Sequence, residues 1–309
     1  LGISRTQVSL VLSGQYKNPT RIAEKTLALL LLAPAFFLIA LIVIYPVGKL
    51  IYTSFFDMQL SGGARALEFV GLRNFEDALK DKEFWHAARN TLLITVVTVP
   101  GALIVGLGLA LLANLPFRYK WVVRLSLLLP WALPLSFCGL IFAWFFHTDY
   151  GIVNDVFRML GVREPTMWLL DPSWAMAGIC LTIIWKTSSF MALILLAGLQ
   201  MIPRSLYEAA QVDGATRWQQ FWQVTLPLLV PSIVVALIFR TLTALQTFDI
   251  PYTMTKGGPG SSTETLAMLI HKTTIDYLDL GYGSALAVFM FLISMLVTAV
   301  YLRQIGKQA

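Results

Sequence analysis

The chain has 309 residues, of which 57% are hydrophobic and only 13% are charged, and its mean hydropathy is +0.71. An ordinary soluble domain carries about 25% charged residues, so the composition excludes such a domain and indicates a membrane protein. We attribute the net charge of +6 to a bias toward the inner membrane face and not to nucleic-acid binding.

Six apolar segments reach the roughly 17–25 residues that a helix needs to cross a bilayer. Their continuous apolar character favours helices over an alternating β-barrel, because backbone groups in hydrocarbon must be satisfied internally. The sequence therefore predicts an all-α polytopic membrane protein whose helices lie near residues 27–47, 91–113, 121–146, 174–199, 228–248 and 285–302. The first helix is expected to be retained, since no small-residue cleavage site follows it.

The ends of the chain are assigned less directly. Residues 1–25 are expected to form a cytoplasmic segment, and residues 306–309 a short tail. Residues 1–20 resemble the turn and recognition helix of helix-turn-helix repressors, but such a motif needs a preceding helix to pack against. A short helix lying on the inner membrane face is the favoured interpretation, and a membrane-tethered regulator is the alternative.

Charge in the connections bears on orientation. Arg118, Lys120 and Arg124 crowd one very short connection, which is where the positive-inside rule applies most strongly. This places the N-terminus in the cytoplasm. The connections on the other side are longer. Residues 51–88 are expected to include an amphipathic surface helix, and the glycines of residues 256–260 are expected to allow positive φ.

The connection between the fourth and fifth spans has a distinctive pattern. It contains Glu-Ala-Ala at 208–210, Gly214, and Leu226-Pro227 at the start of the next span. The alanines predict a helix over residues 207–212 that ends at Gly214. A second helix is predicted over residues 216–224, with Trp218, Phe221 and Trp222 exposed. Such a helix can enter the groove of a partner protein, or its aromatic side chains can anchor in lipid.

Two charged residues fall inside the predicted spans. Lys186 lies in the fourth and Arg240 in the fifth, and charges at this depth usually face a bundle interior or a wet cavity. Thr243, Ala244 and Thr247 are predicted to share a helical face with Arg240, and Phe190 to share one with Lys186. These faces line a polar passage, or the two charges only fix helix packing; the sequence leaves both possibilities open.

The pattern at 208–227 resembles the docking loop of ABC-importer permeases. Further matching blocks are Val70–Phe75, Asp149–Asn154, Trp185-Lys186-Thr187, Arg240-Thr241-Leu242 and Tyr252–Pro259. Together they resemble the carbohydrate-uptake class of these permeases. The resemblance implies ATPase-docking residues Glu208, Ala209, Ala210, Asp213, Gly214, Trp218 and Phe221. It also implies substrate-pathway residues Lys186, Thr187, Phe190, Arg240, Thr243, Ala244 and Thr247.

The same resemblance implies a function and partners. The chain would be a permease subunit of an ATP-driven sugar importer in a bacterial or archaeal inner membrane. Its partners would be a second permease subunit, two copies of an ATPase and an extracytoplasmic solute-binding protein. Because the sequence contains no Gly-x-x-x-x-Gly-Lys-Ser/Thr loop, ATP and magnesium are expected on the ATPase. No catalytic residue, metal site or cofactor is expected on this chain.

Other functions remain open at this point. A passive channel or secondary transporter would leave the 208–227 pattern unexplained. An importer for another polar solute, such as a glycerol phosphate, would use the same architecture.

Overall fold

A computed structural model describes residues 19–60, 67–116, 118–162 and 166–305. The predictions for residues 1–18 and for the tail at 306–309 lie outside these residues. The chain divides into two units, Leu1–Tyr52 and Thr53–Ala309, which are described one after the other.

The first unit is built around one long apolar helix. Helix α1 (Pro19–Ile39) continues through a π-helical turn (Ala40–Ile44) into α2 (Tyr45–Thr53). The stretch Thr26–Thr53 is 28 residues long and apolar enough to cross a membrane. It coincides with the first predicted span.

The second unit is almost entirely helical. Two short antiparallel strands, β1 (Phe56–Asp57) and β2 (Glu68–Phe69), stand at its start. The helices that follow are α3 (Arg73–Lys80), α4 (Lys82–Asn114), α5 (Lys120–Ala132), α6 (Leu135–Phe145), α7 (Ile152–Met159), α8 (Pro172–Met201), α9 (Arg204–Val212), α10 (Arg217–Gln220), α11 (Leu226–Leu245), α12 (Asp249–Thr255), α13 (Leu266–His271) and α14 (Leu280–Ile305). A π-helical turn at Phe221–Thr225 joins α10 to α11. A second π-helical turn, Lys272–Asp276, follows α13.

Within the described residues, five helices are long and apolar enough to span a membrane, and a bent pair makes a sixth. That pair, α5 and α6, replaces the single apolar segment predicted at 121–146 and is bent by 95°. The break follows from Pro134, which has no N–H to donate to the carbonyl four residues earlier. The third span is therefore not one continuous helix.

The core of the second unit lies between α4 and α8. Ile94 of α4 and Ile179, Met191 and Leu195 of α8 are completely buried. Gly106 allows a close approach: a Cβ at this position would lie 2.7 Å from Cβ of Met191 and 2.9 Å from the carbonyl oxygen of Ser188. Small residues at such crossings are the usual means by which membrane helices pack.

The longer connections are held by buried polar contacts. Asn154, which is 1% exposed, donates to the carbonyls of Thr148 and Thr166, both at 3.0 Å. Its side-chain oxygen accepts from the indole N–H of Trp168 at 3.0 Å, so one amide closes the whole loop. The predicted surface helix in residues 51–88 is confirmed as α3, and Gly257 and Gly260 have φ of 88° and 55°, as predicted.

Candidate functional site

The connection between α8 and α11 forms the first predicted helix, α9, but the second predicted helix is not separate. Helix α10 continues through the π-helical turn into α11, so that Arg217–Leu245 is one helix of 29 residues. Helix α9 ends at Val212, and Gly214 follows with φ of +77°. The Gly214 N–H donates to the carbonyl of Gln211 at 3.0 Å, and the Ala215 N–H to that of Ala210 at 2.9 Å. This pair of bonds is a Schellman motif, which caps a helix and favours glycine at the left-handed position. The predicted helix end at Gly214 is confirmed.

Helix α10 begins with a capping box. The Thr216 hydroxyl accepts from the Gln219 N–H at 3.3 Å, while the Gln219 side chain accepts from the Thr216 N–H at 2.8 Å. The buried Gln220 side chain donates back to the carbonyl of Ala215 at 3.0 Å. Three local bonds thus fix the turn, so the two helices keep a defined angle.

The aromatic side chains of this connection form one exposed cluster. Trp218 and Trp222 are 69% and 50% exposed, while Phe221 is half-buried. The ring of Phe221 stacks on Trp218 at a centroid distance of 6.0 Å and meets Trp222 edge-on at 5.4 Å. On α9 and directly after it, Glu208, Ala209 and Asp213 are exposed and Ala210 is half-buried. We call residues 204–222 the loop platform.

The loop platform is tied to the membrane helix that follows. The Tyr207 hydroxyl hydrogen-bonds the buried Thr225 hydroxyl at 2.9 Å. Thr225 ends the π-helical turn that continues without a break into α11. A displacement of α9 is therefore passed to α11 by a hydrogen bond as well as by the chain itself.

A small cavity lies at the other end of α11. It has a volume of about 80 Å³. Four of the predicted pathway residues, Thr187, Arg240, Thr243 and Thr247, line it. Leu135, Ile183, Gln246, Phe248, Asp249 and Ile250 complete the lining.

The prediction that Thr247 shares a helical face with Arg240 is wrong, although Thr247 lines the cavity. Helix α11 ends at Leu245, so Thr247 lies beyond the helix and not one turn further along its face. The Thr265 hydroxyl donates to the carbonyl of Thr247 at 2.8 Å and holds the chain where it leaves the helix. Ala244 is completely buried and is not part of the cavity lining.

Arg240 is buried among neutral groups. Its side chain donates to the Thr98 hydroxyl at 2.6 Å and to the Thr243 hydroxyl at 3.3 Å. Only 3% of the residue is exposed. The contact with Thr98 joins positions 142 apart in the chain, so no local pattern in the sequence could have identified it.

Lys186 is held by the broken third span. Its ammonium donates to the carbonyls of Pro130 and Trp131 at 2.6 Å and 2.5 Å. In an unbroken helix these carbonyls would accept from residues 134 and 135, but residue 134 is a proline. The two prolines, Pro130 and Pro134, were the signal in the sequence that could have predicted the break. Contact of Lys186 with substrate stays a prediction.

Phe190, another predicted pathway residue, is not part of the cavity lining. Phe190 stacks on Trp131 at a centroid distance of 6.3 Å, beside the bend. Asp249 accepts from the Ser136 hydroxyl at 2.9 Å, which joins the start of α12 to α6. Ser136 and Gln246 were not among the residues predicted from the sequence, and Asp249 was considered there only as a possible partner of Lys186 and Arg240.

With this geometry in view, the chain can be compared with known proteins. Residues 102–305 match the family model described as the binding-protein-dependent transport system inner membrane component. The chain belongs to this family, the membrane subunits of ABC importers. The predicted class of protein is confirmed, and the chain is a multi-pass membrane permease subunit.

Two relatives show the range of transporters to which the chain is similar. It is 66% identical over 282 residues to the sulfoquinovosyl glycerol transport system permease protein of Agrobacterium fabrum, with 91% of each chain covered. It is 41% identical over 235 residues to the trehalose/maltose transport system permease protein of Thermococcus litoralis, with 76% of this chain and 79% of the relative covered.

The fold also matches a solved structure. A crystal structure of a bacterial ABC transporter involved in the import of alginate contains a chain that matches with a TM-score of 0.79 and 22% identity. The match covers 92% of this chain and 96% of the other. At that identity the match establishes the permease fold of the chain and nothing about its solute.

Proposed function

We propose that this chain is one permease subunit of an ATP-driven importer for a sulfonated glycoside of the sulfoquinovosyl glycerol type. The observation that carries the proposal is the 66% identity, over 91% of both chains, to a permease named for that solute. A neutral disaccharide is the second candidate, since the relative named for trehalose and maltose is 41% identical.

The partners follow from the family and from the exposed surfaces. The family name includes a binding protein, so a solute-binding protein would deliver the glycoside on the outer side. A second, similar permease subunit would complete the passage. Two copies of an ATPase would bind ATP and magnesium, and the chemistry they supply is ATP hydrolysis. The N-terminus and the loop platform would then both lie in the cytoplasm.

The loop platform supports a role in coupling. Its fixed turn and exposed Trp218 and Trp222 present a rigid, amphipathic helix of the kind that fits a groove in a partner. We assign Glu208, Ala209, Ala210, Asp213, Gly214, Trp218 and Phe221 to the ATPase contact. Closure of the ATPase would move α9 and α10 together, and the Tyr207–Thr225 bond and the continuous chain would transmit that motion to α11.

The cavity supports a role in the passage. Rotation of α11 would move Arg240 and Thr243 relative to Thr187, because these residues belong to two different helices that line one small space. A cavity whose walls move against each other can open first to one side of the membrane and then to the other.

Domain boundaries follow from this assignment: residues 26–305 form the permease domain and residues 201–227 the coupling loop.

Reconstitution tests the proposal. The chain would be purified with its second permease subunit, ATPase and solute-binding protein and placed in vesicles. We expect ATP-dependent uptake of labelled sulfoquinovosyl glycerol that exceeds uptake of trehalose. If trehalose alone is taken up, the transported solute is a neutral disaccharide and not the sulfonated glycoside. Uptake of neither, from a complex that hydrolyses ATP, would show that the proposed solute class is wrong.

A further inference from the structure

Arg240 is a buried cation with no carboxylate within 4.0 Å in the part of the chain that the structure describes. Its two hydrogen bonds go to the hydroxyls of Thr98 and Thr243. Among the described residues, none of the salt bridges closer than 4.0 Å involves Arg240. Its Nε is buried and has no hydrogen-bond partner. A guanidinium has five N–H donors, so two neutral hydroxyls leave much of its donor capacity unused.

Such an arrangement is costly unless something else compensates for it. Burying a charge without an opposite charge costs several kcal/mol, even in a partly wet interior. In membrane helices, buried cations are therefore paired or face a water-filled pathway. Arg240 is among the residues that line the small cavity, so an anionic group entering that cavity would meet the guanidinium.

The other charged groups nearby do not supply this anion. Lys186 carries the same charge and donates to the carbonyls of Pro130 and Trp131. Asp249 lines the cavity as well, but its carboxylate accepts from Ser136 and forms no ion pair with Arg240 among the contacts shorter than 4.0 Å in the described residues. The cavity thus has one carboxylate engaged elsewhere and a cation with spare donors.

The remaining lining suits a sugar. The hydroxyls of Thr187, Thr243 and Thr247 donate to backbone carbonyls and can still accept from sugar hydroxyls. Gln246 adds an amide to the lining. The cavity measures about 80 Å³, whereas one water molecule needs roughly 10–15 Å³ by the same measure. The space therefore admits a small polar group larger than water.

We infer that the Arg240 guanidinium, positioned by Thr98, binds the anionic group of the transported glycoside, so that the permease itself favours anionic over neutral glycosides. This inference rests on the proposed function and adds the residue that recognises the charge. A sulfonate, which replaces a hydroxyl of the hexose, presents several oxygens to the planar fork of an arginine, as carboxylates and phosphates do.

The test is direct binding to the complete importer in detergent, held closed with a non-hydrolysable ATP analogue and without the solute-binding protein. Labelled sulfoquinovosyl glycerol is compared with glucosyl glycerol, which has a hydroxyl in place of the sulfonate. We expect the natural protein to bind the sulfonated glycoside more tightly. Arg240→Gln should weaken that binding by roughly tenfold to a hundredfold and leave the binding of glucosyl glycerol within about twofold.

Three further variants sharpen the comparison. Arg240→Lys keeps the positive charge but lacks the planar guanidinium, so it should retain part of the preference for the sulfonated glycoside. Thr98→Val removes only the positioning hydroxyl and should reduce the preference; it carries the test if Arg240→Gln does not assemble. Arg89→Gln is the matched control, because Arg89 is exposed on α4 and lies outside the cavity lining.

Equal loss of both glycosides in Arg240→Gln, loss of neither, or no preference in the natural protein would overturn the inference. Uptake into vesicles separates this from failure of the proposed function. If the natural complex imports the sulfonated glycoside and Arg240→Gln and Thr98→Val leave the preference unchanged, the proposed function stands. Arg240 then does not recognise the anionic group. A complex that imports only neutral sugars would contradict both the proposed function and the inference about Arg240.

Discussion

Lys186 donates a hydrogen bond to the backbone carbonyl of Pro130 at 2.6 Å, across the 95° bend in the third span. The ammonium thereby occupies the place of the N–H that Pro134 lacks. The sequence left open whether Lys186 lines a passage or fixes helix packing; in the structure its ammonium satisfies the backbone of a broken helix.

Replacement of Lys186 should therefore destabilise the protein. Lys186→Met leaves the carbonyls of Pro130 and Trp131 without a donor in an apolar environment, which costs about 1–3 kcal/mol for each unsatisfied group. The midpoint of thermal unfolding of the purified complex should fall, and Lys186→Arg, which keeps the donors, should restore most of it. Unchanged stability combined with lost uptake would instead assign Lys186 to the substrate.

Two glycines on α4 make a matched pair for the helix contact. A Cβ on Gly106 would lie 2.7 Å from Met191 and 2.9 Å from the backbone of Ser188, whereas a Cβ on Gly108 would meet nothing within 4 Å. Gly106→Ala should lower the unfolding temperature, despite the gain of about 1 kcal/mol in helix propensity that alanine brings. Gly108→Ala should leave it unchanged or raise it. Equal effects would show that α4 and α8 pack less closely than described.

Two further glycines test the loop platform. Gly214 and Gly161 both have positive φ, +77° and +93°, and open space at Cβ, so alanine strains both by about 1–2 kcal/mol. Gly214 ends α9 of the loop platform, while Gly161 follows α7. Gly214→Ala should reduce ATP hydrolysis stimulated by the binding protein, and Gly161→Ala should not. Glu208→Lys should have the same effect as Gly214→Ala without loss of membrane insertion. Stimulation that both platform variants preserve would place the ATPase contact elsewhere.

The reactivity of introduced cysteines tests whether the cavity is part of the passage. In a protein whose buried Cys138 and Cys180 are replaced by alanine, single cysteines at Thr187, Thr243 and Thr247 should react with a water-soluble thiol reagent in the outward-open state. Substrate should protect them. A cysteine at Thr182, which is completely buried on the same helix as Thr187, should stay unreactive. Inertness of all three cavity positions in every state would show that they do not line the passage.

Much of the fold could be predicted because it depends on local patterns. Span lengths follow from apolar runs, and the end of α9 follows from Gly214, whose left-handed backbone is a local property. The bend of the third span was also local, since Pro130 and Pro134 mark it, but the apolar run around them concealed it. Hydropathy reports burial in lipid and says nothing about helix continuity.

The contacts of the cavity could not be predicted in this way. Thr98 meets Arg240 only because α4 and α11 pack side by side, and nothing in either segment specifies the other. The position of Thr247 depends on where α11 ends, which the Thr265 hydroxyl, 18 residues further along, helps to fix. Helical periodicity predicts a face only as far as the helix extends.

The most direct test of the account is uptake into sealed vesicles that contain the complete complex, with and without ATP on the ATPase side and with the binding protein outside. We expect labelled sulfoquinovosyl glycerol to accumulate above its external concentration only when both ATP and the binding protein are present. Glu208→Lys should abolish that accumulation. Equilibration of the glycoside without ATP, unaffected by Glu208→Lys, would contradict the account and indicate a passive channel.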